Sequence, residues 1–347
     1  MRMRILLVGG TGLISSQTSV LALADGHDVT LVNRGQSSLP AAPGAHIIHA
    51  DATNAESLRS ALRGPRLRGE RFDAVVQFIA YTPSQVRDDV ETFQRLTDRY
   101  VLIATSAAYR KFDHLRPITE DVPLENPYWE YAREKIACEE ELRVAAHAAG
   151  LPWTIVRPAH TYGPSKIPGF TGVSRHPWTL VDRMRRGADI ILPGDGTSLW
   201  TLTHARDVAA GILGLALAPD AAGEAVHVTS SEALTWRGIH AAIGAAAGVD
   251  AESLAAQFVC VPSDALVAAA PSQAGSIYGD KMHPAVYDTT KLRSLVPGWE
   301  AYVAFADGAA EAIDYFESRP ELQTVDAESN AMFDALGARY RAVLAAQ

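Results

Sequence analysis

Short unbroken apolar runs alternate with helix-period segments along the first half of the chain. Residues 5–8 (Ile-Leu-Leu-Val) read as a buried strand that stops at Gly9-Gly10-Thr11-Gly12, and the pattern beyond predicts a helix over 13–24. Strands follow at 28–32 and 46–49, a helix at 56–63, a strand at 73–78, a helix at 83–99 and a strand at 100–104. A long helix over 128–149 leads into a strand at 153–156. Strands that are apolar on both faces and separated by helices predict a parallel sheet covered on both sides. The class is α/β, doubly wound, and ligands of such sheets bind at the carboxyl ends of the strands.

Past Pro158 the pattern loosens and proline and glycine cluster at Gly163-Pro164, Pro168-Gly169 and Pro193-Gly194. Helical spacing persists at 179–186, 205–217, 235–247 and from 301 to the end. The polar, glycine-containing stretch 268–284 is expected to be a mobile segment able to close over a ligand. These changes suggest a nucleotide-binding domain over 1–165. Residues 166–347 form a mainly substrate-binding region, with 201–230 returning to the first sheet. No internal repeat is present.

Hydrophobic content of 48% suits a sizeable core, and the net charge of −9 argues against a nucleic-acid partner. The one basic stretch is 63–71. Two cysteines, Cys138 and Cys260, give no disulfide framework. With no apolar run long enough to span a bilayer and a strand starting within a few residues of Met1, a cytoplasmic protein without a membrane partner is expected. Arginine outnumbers lysine 26 to five, so each lysine retained carries weight as a chemical choice.

Two motifs carry chemistry. The run Gly9-Gly10-Thr11-Gly12-Leu13-Ile14-Ser15 lies between a strand and a helix. Gly9 allows the turn, and Gly12 lets a pyrophosphate approach the backbone where unpaired amides and the helix dipole favour anions. Ser15 stands at the third glycine place, at some cost in helix–strand closeness. At the end of the second strand, Asn33 occupies the usual place of the acid that binds a ribose 2′-hydroxyl, and Arg34 follows. An arginine there tilts the cofactor toward NADP. The other motif is Tyr131 and Lys135, four apart on one helical face. An ammonium beside a phenol is expected to lower the tyrosine pKa and make it a general acid/base. Tyr162/Lys166 and Tyr287/Lys291 share the spacing. The first pair encloses Pro164, and the second stands before a helix expected to be capped by Asp288, so structural or substrate-contact roles fit them better.

With the glycine loop, Thr105, Tyr131 and Lys135 in place, the chain resembles the extended short-chain dehydrogenases/reductases, the NAD(P)-dependent epimerase/dehydratase superfamily. The resemblance runs through Asp73, 126–131, 157–164, 193–197 and 204–208. It implies a Rossmann-type domain, a cytoplasmic homodimer formed through the helices carrying Glu91 and Glu139, and a catalytic set of Thr105, Tyr131 and Lys135. Thr105, with Ser106 as fallback, would hydrogen-bond the reacting oxygen, Tyr131 would shuttle its proton, and Lys135 would also hold the nicotinamide ribose. NAD(P) would rest on Gly9, Gly12, Leu13, Ile14, Asn33 and Arg34, with Asp51 and Ala52 near adenine and Ala80 and Pro158 further along. Substrate contacts implied are Ser106, Tyr81, His160, Trp200 and Lys281, with Arg175, His176 and His283 further candidates. No metal site is implied.

The chain departs from the family at three places. Ser106 replaces the acid that follows the catalytic threonine in 4,6-dehydratases, which discounts dehydration. Trp200 stands where UDP-sugar epimerases place an arginine, so a diphosphate loses a bidentate partner while a ring gains a stacking face. His160 stands for the usual asparagine and is either a substrate contact and acid/base or a histidine bonded to backbone. The resulting expectation is an epimerase acting through a transient ketone on a sugar-like or nucleoside-like secondary alcohol, with NAD as cofactor possible in that case. The alternatives are an NADPH-dependent ketone reductase and a non-catalytic nucleotide-sensing or RNA-binding relative.

Overall fold

The computed structural model describes residues 2–36, 40–64, 71–113, 117–170 and 175–345, so most of the basic stretch 63–71 lies outside the described residues. The sheet is built from β1 (Arg4–Val8), β2 (Asp28–Asn33), β3 (His46–His49), β4 (Ala74–Gln77), β5 (Tyr100–Ile103), β6 (Trp153–Pro158) and β10 (Ala225–Val228). All seven are parallel, in the order β10-β6-β5-β4-β1-β2-β3. Their side chains alternate between two apolar layers. Leu6, Val8, Val75, Leu102 and Ile155 face α2 (Ala55–Leu62), α3 (Pro83–Phe93) and α4 (Glu130–Ala149). Ile5, Leu7, Val76, Val101 and Val156 face α1 (Leu13–Ala24) and α6 (Ala205–Leu217). The doubly wound α/β expectation holds, and the chain order reverses between β1 and β4, which opens a crevice there.

A second body of elements stands over the carboxyl ends of these strands. It contains β7 (His160–Tyr162), α5 (Trp178–Arg186), β8 (Ile190–Pro193), β9 (Leu199–His204), β11 (Ala233–Thr235), α7 (Trp236–Ala246), α8 (Ala251–Gln257) and β12 (Phe258–Val261). β11-β9-β7 and β12-β8 form two small sheets. Their core gathers Trp178, Trp200, Trp236, Ile239 and Phe305.

Three expected boundaries change. α3 ends at Phe93 rather than at 99, because Thr97 is needed as an edge bridge to Phe72, whose carbonyl its hydroxyl binds at 3.1 Å. The C-terminal helical stretch is two helices, Phe305–Glu317 and Ala327–Ala345, separated by a 3-10 turn at Pro320–Leu322 where proline lacks an amide donor. The stretch 268–284 is a chain of helical turns ending in a π-helical turn at Ile277–Lys281. It is pinned rather than loose: Asn126 donates to the Gly279 carbonyl at 2.7 Å, an approach so close that a Cβ at Gly279 would lie 2.4 Å from the Asn126 amide.

Tyr131, Lys135 and Glu139 lie at successive helical turns on one face of α4. The Glu139 side chain is buried. Arg157 of β6 donates to both its carboxylate oxygens at 2.8 and 2.7 Å, and both side chains are buried. Removing one member of such a pair strands a buried charge. Arg157→Met is expected to lower unfolding free energy by about 3–5 kcal/mol, read from urea unfolding. An unchanged midpoint would mean the pair does not hold α4 to the sheet.

Candidate active site

The crevice continues into a cleft of about 1120 Å³ between the sheet and the second body. Its floor begins at the glycine loop. Gly9 turns with φ +99°, and a side chain there would meet Ile79 at 2.8 Å. Gly12 caps α1 in an extended conformation, and no acidic residue occupies the first helical turn. Gly12, Leu13 and Ile14 line the cleft, so the open helix terminus and its dipole face it. Ser15 is buried and braces the loop: its hydroxyl accepts from the Gly12 amide at 2.9 Å and donates to the Gly9 carbonyl at 3.0 Å. The donor set and the glycine cradle fit a dinucleotide pyrophosphate.

Asn33 and Arg34 end β2 beyond the cleft wall, Arg34 exposed and Asn33 accepting from the Gly35 amide at 2.9 Å. Asp51 and Ala52 follow β3. The Asp51 carboxylate accepts from the amide and hydroxyl of Thr53 at 3.0 and 2.7 Å, which holds its pKa below the usual value. Ala80 is buried, and Pro158 lines the cleft.

Tyr131, Thr105 and Lys135 all line the cleft. Thr105 caps a 3-10 turn by accepting from the Ala107 amide at 3.2 Å. Lys135 donates to the carbonyls of Ala80 at 2.7 Å and Ile103 at 2.9 Å, across the ends of β4 and β5, with its ammonium 4.7 Å from the Tyr81 ring centre. The expected sign of the tyrosine shift is reversed. Tyr131 keeps 36% of its surface exposed, yet burial pushes its pKa up to about 12, with Thr105 opposing. Lys135 is drawn to the carbonyls instead, and burial pulls its own pKa down to about 8.

Ser106 and His160 also line the cleft. Ser106 accepts from the Tyr287 hydroxyl at 2.9 Å. The Lys111 ammonium lies 5.8 Å from the Tyr287 ring centre and is ion-paired with Asp280. Thr289, not Asp288, caps the short helix Thr290–Leu295, although Asp288 accepts from the Thr290 amide at 2.7 Å. His160 is held neutral at pH 7 by burial and by Lys166, Lys281 and Lys111 around it. Lys166, Arg175, His176 and Lys281 line the cleft, whereas His283 hydrogen-bonds the Tyr278 carbonyl at 2.9 Å. Trp200 does not present a stacking face to the cleft. It is 2% exposed and stacked on Trp236 at 5.3 Å, because β9 turns it into the second core. Lys111, Asp280 and the Ser15 brace were not singled out from the sequence; the scarcity of lysine was the signal that pointed toward Lys111.

The NAD dependent epimerase/dehydratase family model matches residues 5–229. The chain is 27% identical over 255 residues to the chloroplast stem-loop binding protein of 41 kDa b from Arabidopsis thaliana, covering 71% of this chain and 63% of that protein. It is 28% identical over 213 residues to a UDP-glucose 4-epimerase of Lactobacillus helveticus, covering 56% and 62%. It thus spans less than two thirds of either relative. An epimerase of Methanothermobacter thermautotrophicus superposes with a TM-score of 0.74 at 18% identity, over 93% of this chain and 94% of that one.

Burial of Lys135 has a pH signature. Its charged form costs stability below pH 8, and the cost disappears as pH rises toward 10.5, where the unfolded chain also loses the proton. In the absence of cofactor, the stability of the wild type relative to Lys135→Met is therefore expected to rise between pH 8 and 10.5. A flat difference in urea unfolding across that window would show that the ammonium is not desolvated.

Proposed function

The chain belongs to the NAD dependent epimerase/dehydratase family; from that premise we propose that it is an NAD(P)-dependent enzyme that epimerises a secondary alcohol on a sugar-like or nucleoside-like substrate through a transient ketone. The observation that carries the reading is that Tyr131, Thr105 and Lys135 line one cleft, with Lys135 fixed by the Ala80 and Ile103 carbonyls one helical turn from Tyr131. NAD(P), when bound, would supply the hydride chemistry. Gly9, Gly12 and the first amides of α1 would hold its pyrophosphate, and Lys135 its nicotinamide ribose.

Tyr131 takes the proton from the substrate hydroxyl as the carbon loses hydride, and gives it back to the carbonyl oxygen when hydride returns to the opposite face. Thr105 donates to that oxygen and keeps it within reach of the phenol. A phenol with its pKa near 12 is ready as the acid of the second half. The first half needs the phenolate, which burial of the phenol opposes. Ser106 is committed to Tyr287 and supplies no carboxyl group next to Thr105, which supports epimerisation over loss of water. Arg34, exposed at the end of β2, would pair with a 2′-phosphate and favour NADP, although an epimerase that retains its cofactor uses NAD equally well.

Two other readings remain distinct. Steady consumption of NADPH with a ketone would assign a reductase. The likeness to a stem-loop binding protein favours an RNA-binding reading, which the net charge of −9 opposes. Tyr131→Phe is expected to lower turnover by about two or more orders of magnitude with NAD(P) binding retained. Near-wild-type activity would assign the proton to another group, and salt-dependent RNA binding indifferent to this substitution would favour the non-catalytic reading. Arg34→Ala is expected to weaken NADP binding more than NAD binding, measured by nicotinamide fluorescence; equal losses would remove the 2′-phosphate argument.

A further inference from the structure

Four of the chain's five lysines gather at this one cleft. Lys135 belongs to the nicotinamide end. Lys111 is buried behind the wall and paired with Asp280, which itself lines the cleft. That leaves Lys166 and Lys281. Lys166 lies on the loop after β7, and among the described residues no carboxylate or hydrogen-bond acceptor meets its ammonium. Lys281 ends the π-helical turn and donates to the backbone carbonyls of Phe170 at 2.6 Å and Gly169 at 3.3 Å, which leaves a donor for a further group. His160, on the same wall, is neutral and can donate or accept.

Lys111 is ion-paired with Asp280. Among the described residues no ion pair reaches Lys166 or Lys281, which stand beside a surface that loses water when the cleft fills. Asp326, Glu328, Arg175 and His176 also line the cleft. The Asp326 carboxylate is already engaged by the Ser329 hydroxyl at 2.6 Å. Burial holds Lys281 at about 8, Asp280 opposing and Lys166 adding, and burial also lowers Lys166. Both groups are short of a counter-charge that a ligand would supply. A lysine is a compact point charge, which suits a small anion better than the long bidentate diphosphate that arginine forks grip.

We propose that Lys166 and Lys281, with His160 beside them, form a binding site for a compact anionic group, a carboxylate or a phosphate, carried by the substrate itself. The inference rests on the redox reading of the cleft and deepens it: the molecule whose alcohol faces Tyr131 is an acid, of the class of sugar acids or sugar phosphates.

The test uses the full-length protein saturated with whichever of NAD and NADP binds more tightly, so that the helix terminus at Gly12 is filled. The thermal midpoint is followed against inorganic phosphate, glucuronate and glucose at constant ionic strength. Saturable stabilisation by at least one anion, and none by glucose, is expected. Phosphate alone points to a phosphorylated substrate, and glucuronate alone to a carboxylate. Lys166→Met and Lys281→Met should each weaken the apparent affinity for the effective anion roughly tenfold or more, the loss of one charge-assisted bond, with cofactor affinity unchanged. In the wild type the same anion should shield Lys166 and Lys281 from amine acetylation, a readout by mass spectrometry that needs no variant. Stabilisation by glucose equal to that by the anions, no stabilisation by either anion, or an unaltered affinity in both variants would overturn the site. Anion binding that persists while Tyr131→Phe leaves activity intact would instead remove the redox reading and leave this site standing.

Discussion

The buried ion pair between Glu139 and Arg157 is the constraint on which the rest of the site depends. It fixes α4 to β6 one turn past Lys135, so the rotation and height of the helix that carries Tyr131 are set by a bond inside the core. The same guanidinium donates to the Tyr109 hydroxyl at 2.9 Å, and that hydroxyl meets His227 of β10 at 3.2 Å. His227 in turn reaches the Asp288 carbonyl at 2.6 Å, next to the Tyr287 that binds Ser106. One polar chain thus ties together the helix, the loop after β5, the edge strand and the segment behind Ser106. Every piece that supplies a group to the centre is indexed to it.

Much of the frame was legible in the sequence because strands buried on both faces and helices with one apolar face leave opposite periodicities. The glycine loop was legible for the same kind of reason: the turn conformation at Gly9 leaves little room for another residue. What periodicity does not encode is where a helix stops when a tertiary partner competes for its last residues. Thr97 left α3 for a bridge to Phe72, and Pro320 divided the C-terminal stretch. Nor does spacing encode the balance of desolvation against charge. The Tyr131/Lys135 separation correctly placed the two side chains on one face. It did not reveal that two strand-end carbonyls capture the ammonium while burial dominates the phenol. Trp200 shows a third limit. Its alignment with a position that faces substrate in relatives was readable, but the stacking partner Trp236, which turns it into the core, lies far along the chain.

The charge distribution of the molecule is divided. The chain is acidic overall, yet the part of the cleft reached from β7 and the segment before Tyr287 is held by lysines. At the Tyr131 end one ammonium is locked between carbonyls, and at the other end Lys281 is held in the same way by the Gly169 and Phe170 carbonyls.

The π-helical turn at Ile277–Lys281 gives this arrangement a dependence on chain length. A π-turn accommodates one more residue than an α-turn over the same rise. Each residue of an α-helix advances about 100° around its axis. Asp280 reaches Lys111 while Lys281 reaches the Gly169 and Phe170 carbonyls because that surplus residue is held at this place. Shortening the turn by one residue would restore α-helical winding and swing one of the two charges away from its partner, with no change in the identity of either. The electrostatics of the cleft are therefore written in the count of residues in this turn as much as in their chemistry.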